Sequence, residues 1–344
     1  MPPPPAAGTT PDAVDRLPLL TESERAAIAR ELINSVQGEV RFGAHDRMLY
    51  ATDASLYQVE PIGVVIPSDT SDAVRVVEFC AARSLPVLPR GGGTSLAGQC
   101  TNRAVVIDFS PNCRAILALD QANRRVRVEP GITVDDLNDA IASSGLFFAA
   151  DPATSRHANI GGCIGNNAAG ARSIRYGRTS ESLVAVDVAL ADGSRHRLAE
   201  GSCAADPTLR AIATRVCTII AHHAPLIRER YPKTVRRNAG YSLDLILAQM
   251  DRAAPVLAEF SAQDMEAWLR AVNLAHLVCG SEGTLAVTLG AELILHPIPK
   301  ARGLAVVAFS SLDDAMDAVN PILTTRPTAI ELLDDTVIDL APAN

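Results

Sequence analysis

The run Pro89-Arg90-Gly91-Gly92-Gly93-Thr94-Ser95-Leu96-Ala97-Gly98-Gln99 constrains this chain more than any other segment. Three successive glycines follow a short apolar stretch, Leu85 to Leu88, that reads as a strand. Two hydroxyl residues and a further glycine, Gly98, come after them. Backbone without Cβ atoms can approach a ligand closely and adopt positive φ, and its N–H groups can then converge on an anion. A bound diphosphate needs such backbone, above all in a chain whose formal net charge is −8. Two familiar glycine motifs do not match. A P-loop ends in Gly-Lys-Ser/Thr, and no lysine follows here. The dinucleotide fingerprint G-x-G-x-x-G would place glycine where Leu96 stands and would open a helix directly. Here Val105-Val106-Ile107-Asp108 reads as another strand. Taken by itself, the loop is also compatible with a glycine-rich surface turn.

The remaining composition narrows the class. The 344 residues leave room for about two domains. The acidic balance argues against a nucleic-acid partner, which needs a basic face. No apolar stretch approaches the roughly 20 residues of a membrane helix, and the N-terminus lacks the basic and apolar pattern of a signal peptide. Met1 to Asp15 is rich in Pro, Ala and Thr and reads as a disordered leader. The seven cysteines form no C-x-x-C pair. That argues against a structural zinc or iron–sulfur site in this segment and favours buried thiols in a reducing compartment. The expected location is cytoplasmic, or peripheral to the inner face of the membrane.

Along the chain, Thr21-Glu22-Ser23-Glu24 is a capping box that opens a helix. A lead-in, Arg41 to Tyr57, is followed by a strand at Gly63–Pro67, a helix near Ser71 to Arg83 and the strand that delivers the glycine loop. Further strands are expected at Ala104–Phe109, Ala115–Leu119, Arg125–Val128, Leu183–Leu190 and Leu285–Leu295. Thr133 caps one helix, and Asp206-Pro207 starts another with proline in its first turn. His296-Pro297-Ile298-Pro299 looks like a boundary, after which Ala305–Phe309 begins a new strand–helix unit.

A second small-residue stretch runs Ile160-Gly161-Gly162-Cys163-Ile164-Gly165-Asn166-Asn167-Ala168-Ala169-Gly170, preceded by Asp151-Pro152-Ala153-Thr154. A large flat ligand can lie against such backbone while the amides bond its edge; a tightly packed helix–strand junction would use the same residues. Tyr176-Gly177 follows, and Gly280-Ser281-Glu282-Gly283-Thr284 stands before the last long strand.

In this order and spacing, these elements resemble the FAD-binding domain of the vanillyl-alcohol oxidase superfamily. Within it the chain is similar to the D-2-hydroxy-acid dehydrogenases: D-lactate, glycolate and D-2-hydroxyglutarate dehydrogenases. Glu331-Leu332-Leu333-Asp334 resembles an element early in that group's cap domain. The resemblance implies an α+β fold: a two-subdomain PCMH-type FAD-binding domain with the flavin between the subdomains, then the start of an incomplete α+β cap. The implied boundaries are a leader and N-terminal helix at 1–58, the FAD domain at 59–298 and the beginning of the cap at 299–344. Asn238-Ala239-Gly240-Tyr241-Ser242-Leu243 is separated from Gly280 by an inserted helical stretch, about 244–275. That arrangement is similar to the long bacterial dehydrogenases fused to iron–sulfur modules.

The resemblance implies cofactor-binding roles residue by residue. Pro89, Arg90, Gly91, Gly92, Gly93, Thr94, Ser95, Gly98 and Gln99 would hold the pyrophosphate. Pro152, Thr154, Gly161, Gly162, Asn166, Asn167, Ala169, Gly170, Tyr176 and Gly177 would lie along the ribityl chain and ring, with Glu282, Gly283 and Thr284 closing the site. Relatives that bind FAD covalently often have histidine where Gly93 stands, so the FAD is expected to be non-covalent. Iron–sulfur centres and a cap metal would belong to chain beyond residue 344, as would the main catalytic residues.

Within the chain, Arg236, Arg237, Asn238 and Tyr241 are the candidates for substrate chemistry, because arginine binds carboxylates in bidentate fashion. The other reading of the cluster Arg228, Arg230, Lys233, Arg236 and Arg237 is a solvated helix end paired with Asp244 and Asp251. His157 is an isolated histidine just before the small-residue run, and His222 and His223 are placed at a helix end. The expected activity is FAD-dependent oxidation of a small D-2-hydroxy acid, such as D-lactate or D-2-hydroxyglutarate. The electrons would pass to an iron–sulfur module, a quinone or a carrier protein. The alternatives are a catalytically silent FAD-binding module of a larger assembly and an enolpyruvyl-sugar reductase-like flavoenzyme.

Overall fold

A computed structural model describes residues 19–234, 236–238, 240–257 and 259–341; the leader expected at Met1 to Asp15 lies outside them. The chain divides into two units, one reaching to Cys113 and including Ala189–Ser194, the other comprising Arg114–Val188 and the chain from Arg195 on.

The first unit opens with α1 (Glu22–Ser35). Its capping box is complete: the Thr21 hydroxyl accepts from the Glu24 amide at 3.2 Å, and the Glu24 carboxylate accepts from the Thr21 amide at 2.7 Å. The lead-in holds two short elements that periodicity does not show, β1 (Glu39–Arg41) and α2 (Ala44–Leu49). Then come β2 (Gly63–Ile66), α3 (Thr70–Ala82), β3 (Val87–Arg90) and β4 (Val105–Asp108). The sheet order is β1-β2-β4-β3, with β4 parallel to both β2 and β3 and β1 antiparallel to β2. Every residue of β2 and β4 is buried, as expected for parallel strands covered on both faces. Of the apolar residues at helical spacing in α3, Ala73, Val74, Val76, Val77 and Cys80 are buried, while Ala81 at its end is exposed. Its first turn is pinned by Asp72, which is fully buried. That carboxylate accepts the amides of Gln37 (2.9 Å), Gly38 (2.7 Å) and Ser68 (3.0 Å). Burial works to raise its pKa, and the backbone donors outweigh it, so the group is held below the usual carboxylate value. The glycine loop leaves the sheet at the carboxyl end of β3, the edge where open parallel sheets bind ligands.

The second unit begins with β5 (Ile116–Asp120), β6 (Arg125–Val128), α4 (Val134–Ile141) and the two-residue β7 (Leu146–Phe147). The small-residue run forms α5 (Ile160–Asn166), followed by α6 (Ser173–Tyr176), β8 (Leu183–Ala189) and β9 (Arg195–Leu198). A helical layer follows: α7 (Ser202–Ala205), α8 (Pro207–Arg230), α9 (Leu243–Ala253), α10 (Ala262–Ala271) and α11 (Ala275–Val278). β10 (Val287–Ile294) and β11 (His296–Pro297) complete the sheets. The larger sheet runs β5-β6-β10-β8-β9, so the last long strand is inserted at its centre. α8 starts as the sequence predicts, with the Asp206 carboxylate accepting from the Thr208 amide at 2.8 Å. The insert is helical, and Trp268 fills its core with the indole N–H donating to the Ala254 carbonyl at 2.9 Å.

Two sequence expectations are corrected. Ala305–Phe309 is not a strand: Val306 is 87% and Phe309 42% exposed, and the segment has no hydrogen-bonded partner strand among the described residues. A strand cannot satisfy its backbone groups by itself. α12 (Leu312–Leu323) and α13 (Asp335–Leu340) do form, with Ser311 and Asp334 as caps, but they bury no residue. Their local capping suffices for the turns without a core. Second, His222 and His223 lie inside α8, which continues to Arg230 despite Pro225. At His296-Pro297 the chain pairs antiparallel with β7, and the Ile298 amide donates to the Gly145 carbonyl at 2.9 Å.

Among the described residues no helix is long and apolar enough to cross a membrane. None of their His, Cys, Asp and Glu side chains cluster in threes suited to a metal.

Candidate functional site

The glycine loop is shaped by its neighbours in the first unit. Of the three successive glycines only Gly93 has positive φ (+64°); Gly98 follows at +80°. Arg90, expected on the pyrophosphate, turns its guanidinium onto backbone instead. It donates to the carbonyls of Tyr50 (3.0 Å), Thr52 (2.7 Å) and Cys100 (2.7 Å). A Cβ on Gly93 would come within 2.7 Å of Arg90 Nη2, and one on Gly98 within 2.7 Å of the Tyr57 ring. The Ser95 hydroxyl donates to Gln99 Oε1, which also accepts from the Ala97 amide at 3.2 Å. Pro89 pairs with Ile107 in the sheet, and Gly91, Gly92 and Thr94 continue from that edge.

In the second unit, four motifs far apart in sequence meet around the C-terminal end of α5. Helices leave their last carbonyls unsatisfied. Here the amides of Gly280 and Glu282 donate to the carbonyls of Ile164 and Gly165 at 2.9 and 2.8 Å. Asn167 ends the helix in the left-handed region (φ +52°), and its side-chain oxygen accepts from the Ser180 amide at 3.0 Å. Glu282 is likewise left-handed at φ +53°, followed by Gly283 at +78°. The adjacent Ala168 carbonyl accepts from both the amide and the hydroxyl of Thr179, each at 2.9 Å, and Ala169 leads on to Gly170. Gly170 is packed so closely on Asp151 that a Cβ would lie 1.9 Å from that residue's carbonyl oxygen. Gly161 is closed off by Pro130 at 2.8 Å, while a Cβ on Gly162 would meet nothing within 4 Å. The α5 backbone is therefore open at one glycine and packed at the other.

The candidate substrate residues join this cluster. Tyr241 Oη and Thr284 Oγ1 are 2.9 Å apart, and the Tyr231 hydroxyl donates to the Tyr241 carbonyl at 2.6 Å. Arg236 donates to the Gly170 carbonyl. Arg237 is paired with Asp244 and Arg228 with Asp251, as the helix-end reading expects. Buried Arg178 donates to the Arg237 carbonyl at 2.5 Å and pairs with Glu181 at 2.6 Å. Burial works to raise the Glu181 pKa, but the Arg178 hydrogen bonds prevail and hold it low. Asp151 differs: burial pushes its carboxyl up, and Arg172 at 3.1 Å only partly offsets that. Tyr176 packs against Phe147 and His296, with ring centroids at 5.5 and 4.9 Å. Pro152 and Thr154 supply turn carbonyls, to the Ser155 amide and to the His157 and Ala158 amides. His157 itself is exposed.

Two atoms stand out. Asn238 Oδ1 and Ser281 Oγ are buried with no hydrogen-bond partner among the described residues. Buried polar atoms are normally satisfied, and these two lie in neighbouring motifs: a Cβ on Gly280 would sit 3.3 Å from the Gly240 carbonyl. An unsatisfied acceptor and an unsatisfied hydroxyl in neighbouring motifs fit a flat heteroaromatic ring whose edge carries both donors and acceptors. The residues present therefore fit FAD. The sequence motifs contain Asp151 and Ser281 without giving them a role, and they do not single out Arg178 or Glu181, whose opposite charges three residues apart directly after Tyr176-Gly177 were the available signal.

Comparison with known proteins agrees with the geometry. Residues 61–199 match the family described as FAD binding domain, and residues 298–344 match FAD linked oxidases, C-terminal domain. The chain is 31% identical over 314 residues to D-2-hydroxyglutarate dehydrogenase of Pantoea ananatis, covering 88% of this chain and 29% of that protein. It is 32% identical to the dehydrogenase of the same name from Pseudomonas putida, again over 29% of its length. It is 26% identical to Glycolate oxidase subunit GlcD of Bacillus subtilis, over 89% of this chain and 53% of the relative. The chain thus spans less than a third of the length of those D-2-hydroxyglutarate dehydrogenases. Among solved structures, an alkyldihydroxyacetonephosphate synthase superposes with a TM-score of 0.61 over 92% of this chain and 49% of that one, at 16% identity, which speaks to fold alone. On an α+β fold, the chain thus carries an FAD binding domain followed by sequence of the C-terminal domain of FAD linked oxidases, and its relatives are D-2-hydroxyglutarate dehydrogenases and a glycolate oxidase subunit.

Proposed function

We propose that this chain is the FAD-binding part of a dehydrogenase that oxidises a small D-2-hydroxy acid. The observation that carries the reading is the pair of buried, unpartnered atoms, Asn238 Oδ1 and Ser281 Oγ, beside the capped end of α5. The names of the relatives narrow the substrate class to D-2-hydroxyglutarate, D-lactate or glycolate. The loop Pro89–Gln99 takes the pyrophosphate through backbone amides. Gly161–Gly170, Tyr176, Gly177 and Glu282–Thr284 take the ribityl chain and ring. With glycine at 93 the cofactor is held without a covalent bond. The chemistry the group supplies when bound is acceptance of a hydride from the α-carbon of the hydroxy acid, while the protein orients the two partners.

Tyr241, hydrogen-bonded to Thr284, and Asn238 orient the substrate. Arg236, which donates to the Gly170 carbonyl, has further N–H groups for a carboxylate. Arg237 is tied to Asp244 and serves the segment's shape rather than the substrate. The electron acceptor is an iron–sulfur module, a quinone or a carrier protein, and the protein works in the cytoplasm or at the inner face of the membrane.

A second reading is a catalytically silent FAD module. Anaerobic mixing of the FAD-loaded chain with D-2-hydroxyglutarate, D-lactate and glycolate separates the two. Bleaching of the flavin supports the dehydrogenase. A stable yellow protein with all three supports the module, and a colourless protein that takes up no FAD on titration refutes both.

A further inference from the structure

The segment just before the matched domain meets the glycine loop at every turn. Tyr50 anchors it, its hydroxyl donating to the buried Asp108 carboxylate at the end of β4 at 2.7 Å. Ala51 is wholly buried next to it. The segment then folds back on itself through a bridge between Thr52 and Gln58. Within that turn it makes a series of contacts with the loop. The Tyr50 and Thr52 carbonyls accept from Arg90, and the same guanidinium reaches the Cys100 carbonyl across the loop's other end. The Ala54 amide donates to the Gly93 carbonyl at 3.0 Å. The Asp53 carboxylate accepts from the Cys100 amide at 3.2 Å. The Tyr57 ring lies directly under Gly98.

We propose that Tyr50–Tyr57 is a brace that holds the glycine loop in its anion-binding shape, and that Arg90 is the positioning residue tying brace to loop rather than a ligand of the diphosphate. The inference rests on the FAD reading above and adds to it a determinant that lies outside the matched residues 61–199. The physical basis is that a guanidinium has a fixed fork of donors. With three of its N–H donors committed to carbonyls on both sides, Arg90 fastens the start of the loop, its end and the brace at one point. A loop that exists only part of the time in its binding-competent shape binds its ligand more weakly by that fraction. Loosening the brace therefore lowers FAD affinity without removing any group that touches FAD.

Electrostatics gives the opposite sign for one variant, which makes the inference testable. Asp53→Ala removes a negative charge beside a loop that meets an anion. By charge alone FAD binds more tightly; by the brace it binds more weakly. The experiment compares the 344-residue chain with its Arg90→Met and Asp53→Ala variants. It uses FAD titration followed by flavin fluorescence, together with amide hydrogen exchange of the FAD-free proteins. We expect both variants to lose about tenfold or more in FAD affinity. We also expect faster exchange at the Ala54 and Cys100 amides in the FAD-free state, with α8 and β10 protected as in the parent. Unchanged exchange in FAD-free Arg90→Met together with tighter binding by Asp53→Ala would overturn the brace and make Arg90 a diphosphate ligand. If the parent chain takes up no FAD, the functional reading fails, and the exchange of Ala54 and Cys100 still decides whether the brace exists.

Discussion

The amide of Glu282 donates to the carbonyl of Gly165 at 2.8 Å, joining the turn before the last long strand to the end of a helix more than a hundred residues earlier. With the Gly280–Ile164 bond beside it, this contact adds long-range donors to a helix end that the Asn167 amide caps locally. Unusual backbone flanks the contact on both sides: Glu282 itself and Asn167, two residues after Gly165, are left-handed non-glycine residues. Strain of that kind persists only where the surroundings over-determine it and tends to gather at ligand sites.

Asn167 tests how tightly the site is specified. Asn167→Ala loses the hydrogen bond to the Ser180 amide and places a less tolerant residue in the left-handed region. The expected cost is about 2–5 kcal/mol, from roughly 1–2 for the backbone and 1–3 for a buried donor left unpaired. Asn167→Gly relieves the backbone and keeps only the hydrogen-bond loss. Urea unfolding of both variants reads the difference; equal stability of the two would show that the left-handed cap carries no cost here.

Gly93→Ala separates backbone strain from crowding. Gly145 provides the reference, since its φ is +71° and an added Cβ would meet nothing within 4 Å. Alanine there costs only the left-handed term, about 1–2 kcal/mol. At Gly93 the added methyl also meets Arg90, whose guanidinium is fixed by three carbonyls and cannot swing away cheaply. Gly93→Ala should therefore be the more destabilising of the two and should also weaken FAD binding, measured by unfolding midpoint and flavin titration. Equal effects would mean that Arg90 yields freely.

His276 sets a pH dependence. Its Nδ1 lies 2.6 Å from Gln249 Nε2 and its Nε2 3.3 Å from the Leu183 carbonyl. The neutral ring, protonated on Nε2, suits both. A second proton on Nδ1 would face a donor, and the Gln249 oxygen is already engaged by the Asn273 amide at 2.8 Å. Burial accordingly lowers the His276 pKa below 6.5. The unfolded chain then binds the proton first as pH drops, so this stabilisation is complete above 6.5 and is lost as pH falls through 6.5 toward the depressed folded value. Urea midpoints at about pH 7.5 and 5.5, followed by the single tryptophan, should fall in the parent and change less in His276→Gln. A parallel fall in both would place the titrating group elsewhere.

Thiol labelling reports on the glycine loop. Six of the seven cysteines are buried and Cys100, at the loop's end, is half-buried. Burial pushes the Cys163 thiol up to about 12, so almost no thiolate is present there at neutral pH. Maleimide should label about one thiol per native chain quickly, mapped by mass spectrometry to Cys100. FAD should slow that labelling. Fast labelling of several thiols, or a rate indifferent to FAD that binds, would contradict this placement of the loop.

The sequence by itself determined what local chemistry governs. The Thr21, Thr133 and Asp206 caps, the apolar face of α3, the buried runs of β2 and β4 and the glycine-rich motifs all depend on neighbours within a few residues, and each is found where its pattern lies. The motif order also carried the family. Tertiary structure decided what depends on distant partners. Ala305–Phe309 has strand composition but no strand to pair with, so its backbone does not form one. Arg90 reads as an anion ligand beside three glycines, yet its guanidinium is directed to carbonyls at positions 50, 52 and 100, which only folding brings together. Positive φ at Gly93, Asn167 and Glu282 is likewise imposed by contacts rather than composition. The unpartnered atoms of Asn238 and Ser281 could not be read from sequence at all, because satisfaction of a polar group is a property of everything packed around it.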